Sequence, residues 1–354
     1  MTGSPATPTA AARVAEALGH REGDRVPFFL PATMHGARLL GVPLPEYYGS
    51  AELMARGQLR LRERLGHDAV SCSICAAAEV EPFGGEVLLF EDGPPNAGEP
   101  PLRSAADIER LRPPDPGDFP ALRRTLALAS ALRQRLGDEV PIMGGAVAPF
   151  SLPALQLGLG RWFEILEDAP GLAERLVRVN EVFCASLGNA LLTAGAGAVG
   201  LGEPLASPSM VPAERYRELG LPALRRTIAA IRGPVAVSTA SAPCAAVAAD
   251  LAGAGAVAVG VSGADDLAEV KRRLRGRAAV IGNLDGIRMR RWSAAEAERA
   301  VQAALAAAGP GGGFVLSEHH GEVPFQVPQE VLEAVADAVR RWGNYPLTWA
   351  RDAK

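Results

Sequence analysis

The residues of this chain that can do chemistry collect in a few short stretches. Glu318-His319-His320 sets a carboxylate beside two imidazoles. Histidine exchanges protons near neutral pH and is a frequent metal ligand, so the stretch suits acid–base work or a metal. Neighbouring side chains on an extended segment point opposite ways, so one of the two histidines faces a pocket. Glu203 ends an otherwise apolar run, which aims it as a base or metal ligand, or as the partner of another polar group. Cys72 and Cys75 form a C-x2-C without the second pair that a zinc site needs. Cys72, Cys184 and Cys244 read as small buried hydrophobes. His35 follows the first strand in a glycine-containing loop, whereas His20 and His67 are isolated. Ser238, Thr239 and Ser241 offer hydroxyls, but no histidine or aspartate at triad-like spacing supports a serine nucleophile.

Short apolar runs must position these groups. Residues 26–30, 69–73, 141–147, 198–202, 235–237, 256–261, 279–282 and 314–317 read as eight strands, apolar throughout as parallel strands buried on both faces are. Helical periodicity fills the intervals, at 51–65, 121–136, 171–193, 212–231, 265–274 and 293–308. Ser293 with Glu296, and Ser104 with Asp107, are capping-box patterns. The stretch 192–199 echoes 251–257, each a helix end, a glycine turn and a strand. The expected fold is therefore a single-domain (β/α)8 TIM barrel over residues 13–354, preceded by a loose tail over 1–12. A doubly wound open sheet is the alternative, but no G-x-G-x-x-G or Walker sequence supports it. Barrel chemistry sits at the C-terminal strand ends. Those ends offer His35, Cys72 and Cys75, Phe150 and Ser151, Glu203, Ser238, Ser262, Asn283 and Asp285, and Glu318 to His320.

Composition narrows the partners. Thirty-six basic against 40 acidic residues leave a net charge of −4, which excludes a nucleic-acid partner held by a basic face. No apolar run is long enough to span a membrane. Four cysteines make no disulfide framework, and the start lacks a signal-peptide pattern, so a cytoplasmic location is expected. Lys271 and Lys354 are the only lysines, which disfavours Schiff-base chemistry.

Ordered segments carry a resemblance. Asp68-Ala69-Val70, Ala78 to Gly84, Pro141 to Gly145 leading to Pro149 to Leu152, Gly202 to Ser207, Gly282 to Asp285, and Gly313 to Ser317 with His320-Gly321 together resemble the uroporphyrinogen decarboxylase superfamily from about residue 24 to 342. That superfamily also holds the corrinoid-dependent methyltransferases, and its members fold as (β/α)8 barrels. Glu79 to Gly84 and Glu203 to Ser207 look more like the methyltransferase branch. In that branch a zinc ion, held by a His-x-Cys sequence and a later Cys, activates a thiol. Here those positions read Ser238-Thr239-Ala240 and His320. In the decarboxylase branch the essential Asp falls on Cys75, and the arginine-rich segment becomes 33–38 with Arg38 alone. His320 matches both branches and Cys75 holds a pocket position.

The resemblance implies a methyltransferase-like enzyme that moves a methyl group between a corrinoid, supplied by a separate corrinoid protein, and a small acceptor or donor. Catalysis falls to His320 and Glu203, with His35, Cys75, Ser238, Asn283, Asp285, Glu318 and His319 binding substrate. Any zinc would be held by a rebuilt set drawn from His320, Glu203 and Cys75. The alternatives are a decarboxylase or lyase acting on a carboxylate or tetrapyrrole, and a binder of corrinoids or tetrapyrroles without catalysis.

Overall fold

The chain, a computed structural model, is described at residues 8–73 and 75–351. Seven strands form one parallel sheet: β1 (Val70–Ser71), β4 (Ile142–Val147), β5 (Ala198–Gly202), β6 (Val235–Ser238), β7 (Ala258–Gly260), β8 (Ala279–Leu284) and β9 (Phe314–Glu318). They lie side by side in that order. Between β1 and β4, a small antiparallel pair joins β2 (Val87–Leu88) and β3 (Asn96–Ala97), which the sequence pattern did not suggest. Register runs from Val70 opposite Ile142, through Gly202 opposite Ser238, to Leu284 opposite Glu318. Leu201, Val237, Val259 and Leu316 are buried because helices cover the sheet.

The expected first strand differs. Residues 26–30 are extended but make only one parallel bridge, Phe28 to Leu316. Pro27 lies within the run and Pro31 follows it, and neither has the N–H group a ladder needs. The segment still touches both ends of the sheet. Phe29 N–H donates to Leu316 O and Leu316 N–H to Pro27 O, each at 2.9 Å, and Asp68 N–H donates to Phe28 O at 2.8 Å. Buried Asp68 holds the same stretch through its side chain, accepting from Phe28 N–H at 2.9 Å, Arg25 at 2.7 Å and Arg13 at 2.6 Å.

The helices follow the sequence pattern closely. Ala51–Leu65, Pro120–Leu136, Pro170–Ala194, Leu267–Leu274 and Ala294–Ala308 stand where periodicity put them, and both capping boxes form. The stretch expected as one helix over 212–231 is three pieces, with a wider-wound turn at Tyr216–Gly220. The expected loose tail is shorter than 1–12. Thr9 caps a helix over Ala10–Leu18, and residues 1–7 lie outside the described residues.

Candidate functional site

Because the seven strands are parallel, their C-terminal ends share one edge of the sheet, and the polar residues gather there. Glu203 directly follows β5, and its backbone N–H donates to Ser238 O at 2.7 Å. Its side chain is fully buried. Ser151 Oγ donates to Glu203 Oε1 and accepts from Leu205 N–H at 3.1 Å. Glu203 Oε2 has no hydrogen-bond partner. Burial pushes the Glu203 carboxyl up to about 8, the Ser151 bond opposing it. The group is therefore a neutral carboxylic acid at pH 7.

A second neutral acid lies beyond β4. Glu79 sits in the short 3-10 helix Ala76–Phe83 and accepts from Val147 N–H at 2.8 and 3.1 Å. Burial pushes its carboxyl up to about 8 as well. Cys184 donates to Val147 O at 3.1 Å, so both backbone polar groups of Val147 are held by side chains. Sequence reasoning did not single out Glu79 or choose Ser151. An acid inside Ala76-Ala77-Ala78-Glu79-Val80 was the available signal.

At β9 the acid and the two histidines separate in role. Glu318 is buried and accepts from His320 N–H at 2.7 Å and Gly321 N–H at 2.5 Å. His320 Nδ1 lies 3.6 Å from Glu318 Oε2. His319, whose ring stands 4.1 Å from that of His320, accepts at Nδ1 from Gly263 N–H at 3.0 Å. Its Nε2 lies 3.9 Å from Asp285 Oδ1. Neither His319 Nε2 nor His320 Nδ1 has a hydrogen-bond partner. Asp285 caps the helix Gly286–Met289 by accepting from Arg288 N–H. Asn283 donates to Ser262 O at 3.1 Å. Asn283 and Asp285 border a cleft of about 280 Å³ that Leu267 and Trp292 help to line.

Other expected residues are differently employed. His35 is fully buried inside the helix Thr33–Leu40, not in a loop. Its Nε2 lies 3.1 Å from Pro324 O and its Nδ1 3.3 Å from Arg38, and burial brings its pKa down to about 4. It is a neutral packing residue. Arg38 is committed too, donating to the backbone oxygens of Val327 and Phe325 and stacking 4.4 Å from the Phe325 ring. Cys75 is half-buried, with its thiol pushed up to about 11, so it is no ready thiolate. Ser238 Oγ accepts from Ala240 N–H at 3.0 Å, and a Cβ on Gly260 would lie 2.6 Å from it, so a bare backbone leaves room for the hydroxyl.

The zinc implied by the resemblance does not fit this site. Ser238 and Ala240 offer neither thiolate nor imidazole. The rebuilt trio His320, Glu203 and Cys75 is not brought together. Among the described residues, the ligand atoms that come within 4.8 Å of one another are those of Asp285, His319 and His320.

This geometry accords with the chain's relatives. The uroporphyrinogen decarboxylase family model matches residues 9–342, and the chain belongs to that family. It is 29% identical over 357 residues to a uroporphyrinogen decarboxylase of Alkalilimnicola ehrlichii, with 93% of each chain covered. It is 24% identical to the methylcobamide:CoM methyltransferase MtaA of Methanosarcina barkeri, covering 77% of this chain and 81% of that one. A solved methyltransferase from Methanosarcina mazei superposes with a TM-score of 0.83 at 21% identity, over 95% of this chain and 99% of that structure. The shared fold is thus an enzyme fold with relatives of two chemistries. Among the described residues, no helix is long and apolar enough to cross a membrane.

Proposed function

We propose that this chain is an enzyme of the methyltransferase branch, moving a methyl group from a small donor to a corrinoid carried as co-substrate by a separate protein. In the same reading residues 26–30 close the sheet into a (β/α)8 barrel, and residues 13–354 form one domain, of which 352–354 lie outside the described residues. The observation that carries the chemistry is Glu203. Its Oε1 is bonded to Ser151, and its Oε2 is buried and has no partner. A buried, protonated carboxyl is suited to giving a proton to a leaving heteroatom. When the methyl–heteroatom bond breaks, the heteroatom keeps the electron pair and takes the Glu203 proton. Transfer away from a donor therefore fits this chain better than activation of a thiol acceptor, for which it lacks the thiolate ligands.

Tetrapyrrole decarboxylation is less well supported. A substrate with many carboxylates needs free arginines, and Arg38 is spent on backbone oxygens and an aromatic ring. Two assays separate the readings. The purified chain is given cob(I)alamin with a panel of methyl ethers, methylamines and methyl thioethers, and separately given uroporphyrinogen. Formation of methylcobalamin with at least one donor, and no carbon dioxide from uroporphyrinogen, is the expected result. Carbon dioxide release without methyl transfer would reverse the assignment.

A further inference from the structure

Asp285, His319 and His320 have the spacing of a divalent-cation site, with ligand atoms mutually within 4.8 Å. The protons say otherwise. His319 Nδ1 accepts the Gly263 N–H at 3.0 Å, so that nitrogen carries a lone pair. A neutral imidazole with its lone pair on Nδ1 has its proton on Nε2. His319 Nε2 is thus an N–H donor and cannot ligate a cation without breaking the Gly263 bond. It is also buried and unpartnered, while the ring as a whole is only 9% exposed. Facing it at 3.9 Å is Asp285 Oδ1, an acceptor. That separation is too long for a direct bond and short enough for one oxygen to reach both. An anion there would be repelled by Asp285, and an ether could not satisfy the carboxylate. A hydroxyl satisfies both groups, accepting from Nε2–H and donating to Oδ1.

We propose that His319 and Asp285 form a hydroxyl-recognition site, so that the small substrate carries a free alcohol or phenol group, and that this cluster is not a metal centre. The substrate role rests on the proposed methyl transfer, but the proton placement does not. The test is histidine-selective nitrogen NMR on the full chain, which has five histidines, with His319→Gln used for assignment. The probes are zinc, methoxyethanol, which has a hydroxyl and a methyl ether, and dimethoxyethane, which lacks the hydroxyl. His319 is expected in the Nε2–H form, unmoved by zinc, shifted by methoxyethanol and not by dimethoxyethane. Asp285→Ala should weaken the methoxyethanol response about tenfold, the scale of one lost hydrogen bond to a charged group. An Nδ1–H form, or zinc-dependent shifts at His319, would overturn the proposal in favour of a cation site. Equal response to both ethers, or to neither, would overturn hydroxyl recognition. Failure of methyl transfer with these NMR results intact would sink only the proposed reaction.

Discussion

Ser151 Oγ accepts the Leu205 N–H and bonds Glu203 Oε1, which leaves Oε2 as the oxygen of that buried acid without a partner. The serine fixes which oxygen of a buried acid is held and which is left unpartnered. Beyond β9, the last strand in the sheet's order, the Gly263 N–H fixes the His319 proton on Nε2.

Replacing Glu203 with Gln keeps a neutral side chain of similar shape but removes the transferable proton. Single-turnover methyl transfer should fall on the order of a hundredfold or more. Stability should move the other way. The folded chain holds a proton up to about pH 8 that an unfolded glutamate releases near 4.5, so Glu203 costs stability as pH rises between those values. The variant should match the parent near pH 4.5 and melt higher near pH 8, as read by calorimetry at both.

Ser151→Ala tests the contact that holds the acid. It orphans the Leu205 N–H, which costs about 1–3 kcal/mol in denaturant unfolding. The Ser151 bond also lowers the Glu203 pKa, so its loss should shift the alkaline limb of the rate profile to higher pH.

His35→Ala should act on stability and not on substrate binding. It leaves a cavity and unpairs Pro324 O and Arg38, at a cost of about 2–4 kcal/mol. The Michaelis constant at a permissive temperature should stay within about twofold of the parent, since both ring nitrogens of His35 are already bonded within the fold.

Asp68→Ala should loosen residues 26–30. Removing one member of a buried charge cluster typically costs about 3–5 kcal/mol. Arg13 and Arg25 would lose their shared carboxylate and Phe28 N–H its acceptor. Faster hydrogen exchange at Phe28 and Phe29 than at Val199 to Leu201 is the expected signature.

Seven strands were legible because each is a short, mostly apolar run, although along β4, β5 and β6 buried residues alternate with half-buried ones. Residues 26–30 show the same run, but Pro27 and Pro31 reduce their pairing to one bridge. β2 and β3 are two residues each, too short for any period to show. Glu203 stood out as an acid ending an apolar strand, and its burial explains why. His35 misled because the groups that occupy its ring, Pro324 above all, come from far along the chain. The His319 proton was hidden for the same reason, since Gly263 is 56 residues away.

The most direct test of the account is a pH-resolved single-turnover methyl transfer to cob(I)alamin with the parent chain and Glu203→Gln. If Glu203 supplies the proton, the parent rate is level below and declines above about pH 8, where the carboxyl ionises, and the variant is slow with no such limb. A parent rate that rises through pH 8, or a variant that keeps the parent's profile, would contradict the assignment of Glu203 as the acid.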